Sequence, residues 1–450
     1  MRRRRRSWQN WAGNQVALPT RIARPASEDE LAEIVRRAGE QGRRVRAVGA
    51  GHSFTDVACT DGVLCELDDL SRVLSVDHVT RRVTVGAGIR LHELSRHLDE
   101  CGLALPNLGD IDRQSIAGAI ATGTHGTGIR HHGIADAVVA FRLVTATGEI
   151  LECSADATPG SLAHELWRLG RVSLGALGIL STVTLACVPA FRLRAVEAST
   201  DVDALLAELD EHVDATDHFE FYWVPHTRIA LTKHNQRTTD PPDRRRWRRR
   251  LENELVENVA FGAVNRVGRR LPALVPRLAR LLPGPGRRET VAPSHEIFCT
   301  RRRVRFLETE WGLPRAALPD AFAELRRLVD TLPHPVNFPV EVRFLGADDA
   351  PLSMAVGRET AFVACHAYVG TPYEAYFAGV EAIMADHGGR PHWGKLHRRG
   401  RDDLMGRYPE LAAFIELRDR MDPAGRFANA YLDRVLGPVP AAGGSAPGAG

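Results

Sequence analysis

Three runs of small residues, all before residue 190, constrain this chain more than any other feature. The first, "VGAGHSFTD" from Val48 to Asp56, follows a strand-like stretch at 45–48 and sets Gly49, Ala50 and Gly51 in a row. The second, "NLGDIDRQSIAGAIATGTHGTG", spans 107–128 and carries Gly118, Ala119, Ala121, Gly123, Gly126 and Gly128. The third, "SLGALGILSTVTL", spans 173–185 and runs into a strand led by Gly178 and Ile179. Without a Cβ, backbone amides approach an anion or a flat ring closely. One such loop is weak evidence. Three in one half of a chain predict a ligand gripped largely by main chain, with Ser53, Ser115, Thr122 and Thr124 adding hydroxyl donors.

The first loop is not a nucleotide-triphosphate loop. Lysine followed by Ser or Thr is required there, and His52, Ser53 and Phe54 stand instead. It is not a dinucleotide fingerprint either. The third glycine is missing, and short strands follow where a long crossover helix belongs. Periodicity predicts a helix over 27–42 with Ser27 as its cap, strands at 45–48, 63–67, 73–76 and 82–85, and a helix over 89–101. A hairpin over 141–153 turns at Thr147 and Gly148. Beyond residue 189, helices at 201–213, 314–332 and 372–387 alternate with strands at 218–224, 303–308, 336–345 and 362–369. The fold class is therefore α+β, in two domains.

With 450 residues and 44% hydrophobic content, one large core or two ordinary ones can be buried. The formal charge of +3 is too small to recruit nucleic acid or anionic lipid globally. Basic residues cluster at 2–6, at 244–250, and through an Arg- and Pro-rich insert near 240–288 that reads as a surface excursion. Solvated helices are the preferred reading of that insert, and a weak peripheral membrane contact is the alternative. The seven cysteines are odd in number and include no C-x-x-C pair, which points to reduced thiols in a cytoplasmic protein. No apolar segment follows the N-terminal arginines, so export is not expected. No run is long enough to span a bilayer.

Near the C-terminus, "FPVEVRF" sets Glu341 and Arg343 two apart on a strand, hence on one face. On their own they read as surface charge or a buried ion pair. His366 in "VACHAYVG" is either a cavity residue or a satisfied core histidine. In "PHWGKLH", His392 and His397 have the wrong phase to share a metal, and no metal site is expected.

These motifs resemble a known family. "VGAGHSFTD", "QSIAGAIATGTHGTG" and "SLGALGILSTVTL" are similar to the FAD domain of the vanillyl-alcohol oxidase and para-cresol methylhydroxylase (PCMH) superfamily. "HWGKLH" and "DPAGRFANAYLDRVLG" resemble its sugar-lactone and alditol branch. The resemblance implies a PCMH-type FAD-binding domain over 11–188 and a substrate (cap) domain over 189–400. A segment at 401–437 would return to the flavin site, ahead of a disordered tail at 438–450. It implies FAD held by the loops already quoted and by Gly109, Asp110 and His125, with a covalent bond from His52 to the flavin 8α carbon. A neutral imidazole suits that bond, being nucleophilic where lysine is protonated. His125 is expected to be a loop histidine and not a second attachment point. The resemblance further implies that Arg343, Glu341 and His366 meet the substrate, and that Lys395 faces the flavin as it is reduced. The implied activity is oxidation of a sugar-derived 1,4-lactone, with oxygen or a protein as electron acceptor. Alditol relatives carry Ser where this chain has Asp110, which favours a lactone over a polyol. Gly109 implies an open path for oxygen.

Overall fold

The computed structural model describes residues 7–243, 261–281, 286–300 and 302–440. Both arginine runs, most of the expected tail and the middle of the basic insert lie outside the described residues. The chain opens with β1 (Arg21–Ala23), α1 (Glu28–Glu40), β2 (Val45–Val48) and β3 (Val63–Glu66). The three strands form a parallel sheet in the order β1-β3-β2. Helix α1 forms because Ser27 accepts the Glu30 amide, three acidic residues offset the dipole in its first turn, and Leu31, Ile34, Val35 and Ala38 supply a buried stripe.

Next come β4 (Val73–Asp77), β5 (Arg82–Gly86), α2 (Leu91–Glu100), α3 (Ile116–Ala121), β6 (Val138–Val144), β7 (Ile150–Ser154) and β8 (Ile179–Ala186). Their strands make a five-stranded antiparallel sheet, β7-β6-β8-β5-β4. The expected hairpin is β6–β7, with Gly148 at φ 83° in its turn. Helix α3 lies inside the stretch that sequence alone reads as a loop. Ser115 caps it by accepting from the Gly118 amide.

The second half is built on one eight-stranded antiparallel sheet. In chain order it comprises β9 (Arg192–Asp201), α4 (Val202–Ala207), α5 (Leu209–Ala215), β10 (His218–Trp223), β11 (Ile229–Thr238), α6 (Phe261–Arg270), β12 (Arg288–Pro293) and β13 (Phe306–Pro314). Then follow α7 (Leu318–Thr331), β14 (Val340–Leu345), β15 (Thr360–Tyr368), α8 (Glu374–Asp386) and β16 (Arg390–Pro391). The strand order is β12-β9-β11-β10-β14-β15-β13-β16. Periodicity leaves β9, β11 and β12 unassigned, because these half-exposed strands toward one edge carry charged and polar residues along most of their length. The strand expected at 303–308 begins at Phe306 and runs on to Pro314, which pushes the start of the following helix from 314 to Leu318. The strand expected at 336–345 is confined to β14.

Alternation gives this sheet two unlike faces. Phe219, Phe221, Trp223, Val340, Val342, Phe344, Val363, Cys365, Trp311 and Leu313 share an apolar core with Phe322 and Leu325 of α7 and with Val380 and Met384 of α8. The residues between them, Glu220, Tyr222, Glu341, Arg343, His366, Glu308 and Glu310, therefore point the other way, toward the N-terminal half. The joint is direct. The Gly128 amide donates to the Phe344 carbonyl at 2.6 Å, and the Phe344 amide donates to Thr127 Oγ1 at 3.1 Å.

Two late helices, α9 (Leu411–Met421) and α10 (Ala430–Leu436), pack into the N-terminal core. Asn429, the cap of α10, donates its side-chain amide to the carbonyls of Asp56, Val57 and Cys59 at 3.0–3.1 Å.

Candidate active site

Strand β2 delivers the loop of residues 49–53 to a cleft. Gly49, Ala50, Gly51, His52 and Ser53 line it, together with Ser115, Gly118 and Thr122 from around α3, and Gly178 and Ile179 at the start of β8. The three small-residue runs thus meet at one place. The glycines are there for space. A Cβ on Gly49 would lie 2.0 Å from Ser115 Oγ, and Gly51 has φ +68° with Trp8 2.9 Å from any added Cβ. The amides of Ala50, Gly51, His52 and Ser53 make no hydrogen bond among the described residues. Four consecutive free N–H groups beside a cleft form a nest for an anion. Arg46, also on the cleft, is a buried guanidinium that donates to four carbonyls, of Val57, Leu174, Gly175 and Phe427. Burial lowers its pKa to about 10, and among the described residues no carboxylate pairs with it. Nest, buried cation and small-residue walls fit the pyrophosphate and flat ring of FAD. Sequence reasoning missed Arg46, although its place in the strand just before the glycines was a usable signal.

His52 lines the same cleft beside Trp11, with ring centroids 5.5 Å apart. Burial, reinforced by Lys395 and Arg90, lowers its pKa to about 4, so the ring is neutral at physiological pH. The remaining expected FAD residues lie elsewhere. Ala119 is in the core, and Gly123 packs against Met354 with φ +74°. Thr124 accepts from Gln114 at 3.0 Å. A Cβ on Gly109 would lie 2.9 Å from the His125 carbonyl oxygen.

The polar face of the eight-stranded sheet borders this cleft through the Lys395 loop, where the Phe54 amide donates to the Gly394 carbonyl at 2.7 Å and a Cβ on Gly394 would lie 3.2 Å from Ser53 Oγ. Register places Tyr222, Glu341, Ala364 and Glu310 in one row across β10, β14, β15 and β13. Arg343 is the hub. It pairs with Glu341, with Glu220 Oε2 at 3.2 Å and with Asp110 Oδ1 at 3.3 Å. Lys233 meets the other Glu220 oxygen at 3.1 Å, Arg302 meets Asp110 at 3.1 Å, and the Tyr222 hydroxyl donates to Glu341 at 3.0 Å. Burial opposes the charge on Asp110, but Arg343 and Arg302 outweigh it and hold the carboxyl below its usual range. Glu341 goes the other way. Burial, aided by Asp110 and Glu220, beats Arg343 and raises it to about 8.

Lys395 comes from the loop after β16, which backbone bonds fasten to β13. The His392 amide donates to the Glu310 carbonyl and the Leu396 amide to the Glu308 carbonyl, both at 2.9 Å. Its Nζ lies 2.5 Å from Glu308 Oε2, 3.7 Å from Glu310 Oε2, and 5.3 Å over the ring of Phe54. Burial disfavours the ammonium, yet Glu308 and Glu310 together hold its pKa above the ordinary value. His366 sits opposite Glu308 across β13–β15, its Nδ1 3.3 Å from the Pro339 carbonyl and its Nε2 3.6 Å from Glu308 Oε1. His125 Nε2 faces Glu310 Oε1 at 3.2 Å. Glu308, Glu310, Glu220, Tyr222 and Lys233 were all missed from sequence.

His125, Glu310 and His392 bring one ligand atom each within 4.8 Å of one another, all buried. The hydrogen bonding argues for a charge network and against a metal site. His392 Nδ1 accepts from the Gly394 amide at 3.0 Å, so its other nitrogen carries the proton and is a donor. Lys395 already sits 3.7 Å from the same carboxylate. His397 is apart, with Nε2 3.2 Å from the Tyr431 hydroxyl.

Comparison with known proteins agrees with this anatomy. Residues 19–154 match the family described as FAD binding domain, and residues 183–435 match D-arabinono-1,4-lactone oxidase. The chain is similar to an L-gulono-1,4-lactone dehydrogenase of Mycobacterium tuberculosis, 44% identical over 432 residues, covering 96% of this chain and 99% of that one. It is also similar to the L-gulonolactone oxidase of Bos taurus, 36% identical over 440 residues, covering 95% and 98%. A crystal structure of cholesterol oxidase from B. sterolicum has the same fold, with TM-score 0.80 at 17% identity over 96% of both chains. The α+β, PCMH-type architecture expected from sequence is the one observed. The chain is an FAD-dependent oxidoreductase and belongs to the D-arabinono-1,4-lactone oxidase family.

Proposed function

We propose that this chain oxidises a sugar-derived 1,4-lactone, of the L-gulono or D-arabinono type, at C2 to give an ascorbate-type product. The observation that carries the reading is the buried polar face, bearing Arg343, Glu341, His366 and Lys395, whose lysine loop adjoins the glycine-lined cleft. FAD supplies the two-electron acceptor at which the C2 hydride ends. Arg343 offers guanidinium donors to lactone oxygens, and Glu341 and Asp110 hold it in place. Lys395 keeps a fixed cation for the negative charge that reduction puts on the ring. His52, kept neutral, is the nucleophile for covalent attachment. On this reading residues 11–188 carry FAD, 189–400 carry the lactone, and 401–437 close back beneath the flavin loop.

The reading extends to three finer points. Asp110 is committed to two arginines, which suits a carbonyl-bearing lactone better than an open polyol. Oxygen or a protein takes the electrons onward, with Gly109 leaving the approach open. Among the described residues no helix is long and apolar enough to cross a membrane. We place the enzyme in the cytoplasm, with at most a peripheral contact through the basic insert, where α6 exposes Val267 between Arg266 and Arg270.

Anaerobic mixing of the holoenzyme with L-gulono-1,4-lactone, D-arabinono-1,4-lactone and xylitol tests this directly. Bleaching of the flavin by a lactone is expected, and rapid return of colour in air identifies oxygen as acceptor. Bleaching by xylitol alone overturns the lactone reading in favour of an alditol.

A further inference from the structure

Two carboxylates flank Lys395, and their surroundings make them unlike. Glu308 and Glu310 lie two apart on β13, point to the same side, and are each buried. Glu310 faces His125 Nε2 on one oxygen and the Lys395 ammonium on the other. Burial works against its charge, but His125 and Lys395 outweigh it and hold the carboxyl well below the usual range. Glu308 faces the Lys395 ammonium, the lone-pair nitrogen of His366, and at longer range the negative charges of Glu310 and Asp110. His366 has its proton on Nδ1, given to the Pro339 carbonyl, so it does not donate to Glu308. Burial and the neighbouring carboxylates beat Lys395 there and raise Glu308 to about 7. Paired carboxylates whose environments drive them apart usually divide their labour: one remains a counter-ion and the other moves a proton.

We propose that Glu308 is the store for the proton of the substrate hydroxyl, which it receives through the ammonium of Lys395. This rests on the lactone reading above. The hydroxyl O–H bond breaks and its proton joins the Lys395 nitrogen while one ammonium proton passes to the Glu308 carboxylate. Lysine is unchanged, the carboxylate becomes a carboxylic acid, and a C2=O double bond forms as the C2–H electron pair leaves as hydride to FAD. Glu310, still ionised, keeps Lys395 cationic throughout. Glu308 is thus a positioning residue acting through Lys395, and its ionised form is the working one.

The test compares Glu308→Gln, Glu308→Asp and Glu310→Gln holoenzymes with the parent. Infrared difference spectra without substrate, taken on either side of neutrality, are expected to show a carboxylic acid band that titrates near pH 7. It should vanish in Glu308→Gln and persist in Glu310→Gln, while the separate band of Glu341, which titrates near pH 8, stays in every variant. Anaerobic flavin reduction by lactone should rise with pH through neutrality in the parent. In Glu308→Gln it should fall about 100-fold or more and lose that rise, with lactone affinity little changed. Glu308→Asp should restore the band and part of the rate with a displaced midpoint, and it also serves if the glutamine variant fails to fold. An unchanged band near pH 7 in Glu308→Gln, with no component lost relative to the parent, or a parental rate and pH profile in that variant, overturns the proposal. If no lactone reduces the parent flavin, the substrate reading fails, and the infrared comparison still decides whether Glu308 holds a proton.

Discussion

The two walls of the active site recognise their ligands by opposite means. The cleft wall is made of backbone: four free amides, glycines that clear space, and one buried arginine tied to carbonyls. The sheet wall is made of side-chain charge, with Asp110, Glu220, Glu308, Glu310 and Glu341 set against Lys233, Arg302, Arg343 and Lys395. Backbone amides cannot titrate, so the first wall suits a cofactor bound at all times. The second stores protons and fixed charge, which suits a reacting substrate. Holding the cofactor and performing the chemistry are therefore separable by mutation.

The largest expected effect falls on the charged wall. Lys395→Ala should slow anaerobic flavin reduction by about 100- to 1,000-fold, the usual consequence of removing one preorganised charge. FAD content, measured from the visible spectrum, should be unchanged. Loss of flavin together with activity would break the division between the walls.

Gly49→Ala attacks the other side. The new Cβ would strike Ser115, which also caps α3, so a loss of about 1–3 kcal/mol is expected along with reduced FAD retention. Thermal melting and flavin stoichiometry report it. A stable, fully loaded variant would show that the loop has more room than the geometry allows. His52→Ala should have the smallest effect on folding. FAD should still bind in the nest, and after denaturation the yellow colour should leave the polypeptide, whereas in the parent it should stay.

The same contrast explains what was readable from sequence. A site made of backbone leaves a local mark, since each close approach demands a glycine, and the glycine runs named the cleft without any register. A site made of side chains on adjacent strands depends on strand pairing. Glu341 and Arg343 were found because a family motif carries them. Glu308 and Glu310 were missed because the strand was ended at Glu308, and the next helix was started at Pro314. The alternation of Leu307, Thr309, Trp311 and Leu313 with the two glutamates was the signal available, and it marks a strand with one greasy and one acidic side. The six-residue α3 was hidden for another reason: alanine and glycine in a short run read as a loop until a serine cap is recognised.

The way residues 426–429 stitch the first loop together makes the shape of that loop a long-range property. The Val45 amide donates to the Arg426 carbonyl, the Arg46 guanidinium to that of Phe427 among others, and Asn429 donates to the carbonyls of Asp56, Val57 and Cys59. A nascent chain still short of those residues has the glycines but not the clamp that shapes them. The flavin loop therefore takes its shape only when segments 370 or more residues apart have met.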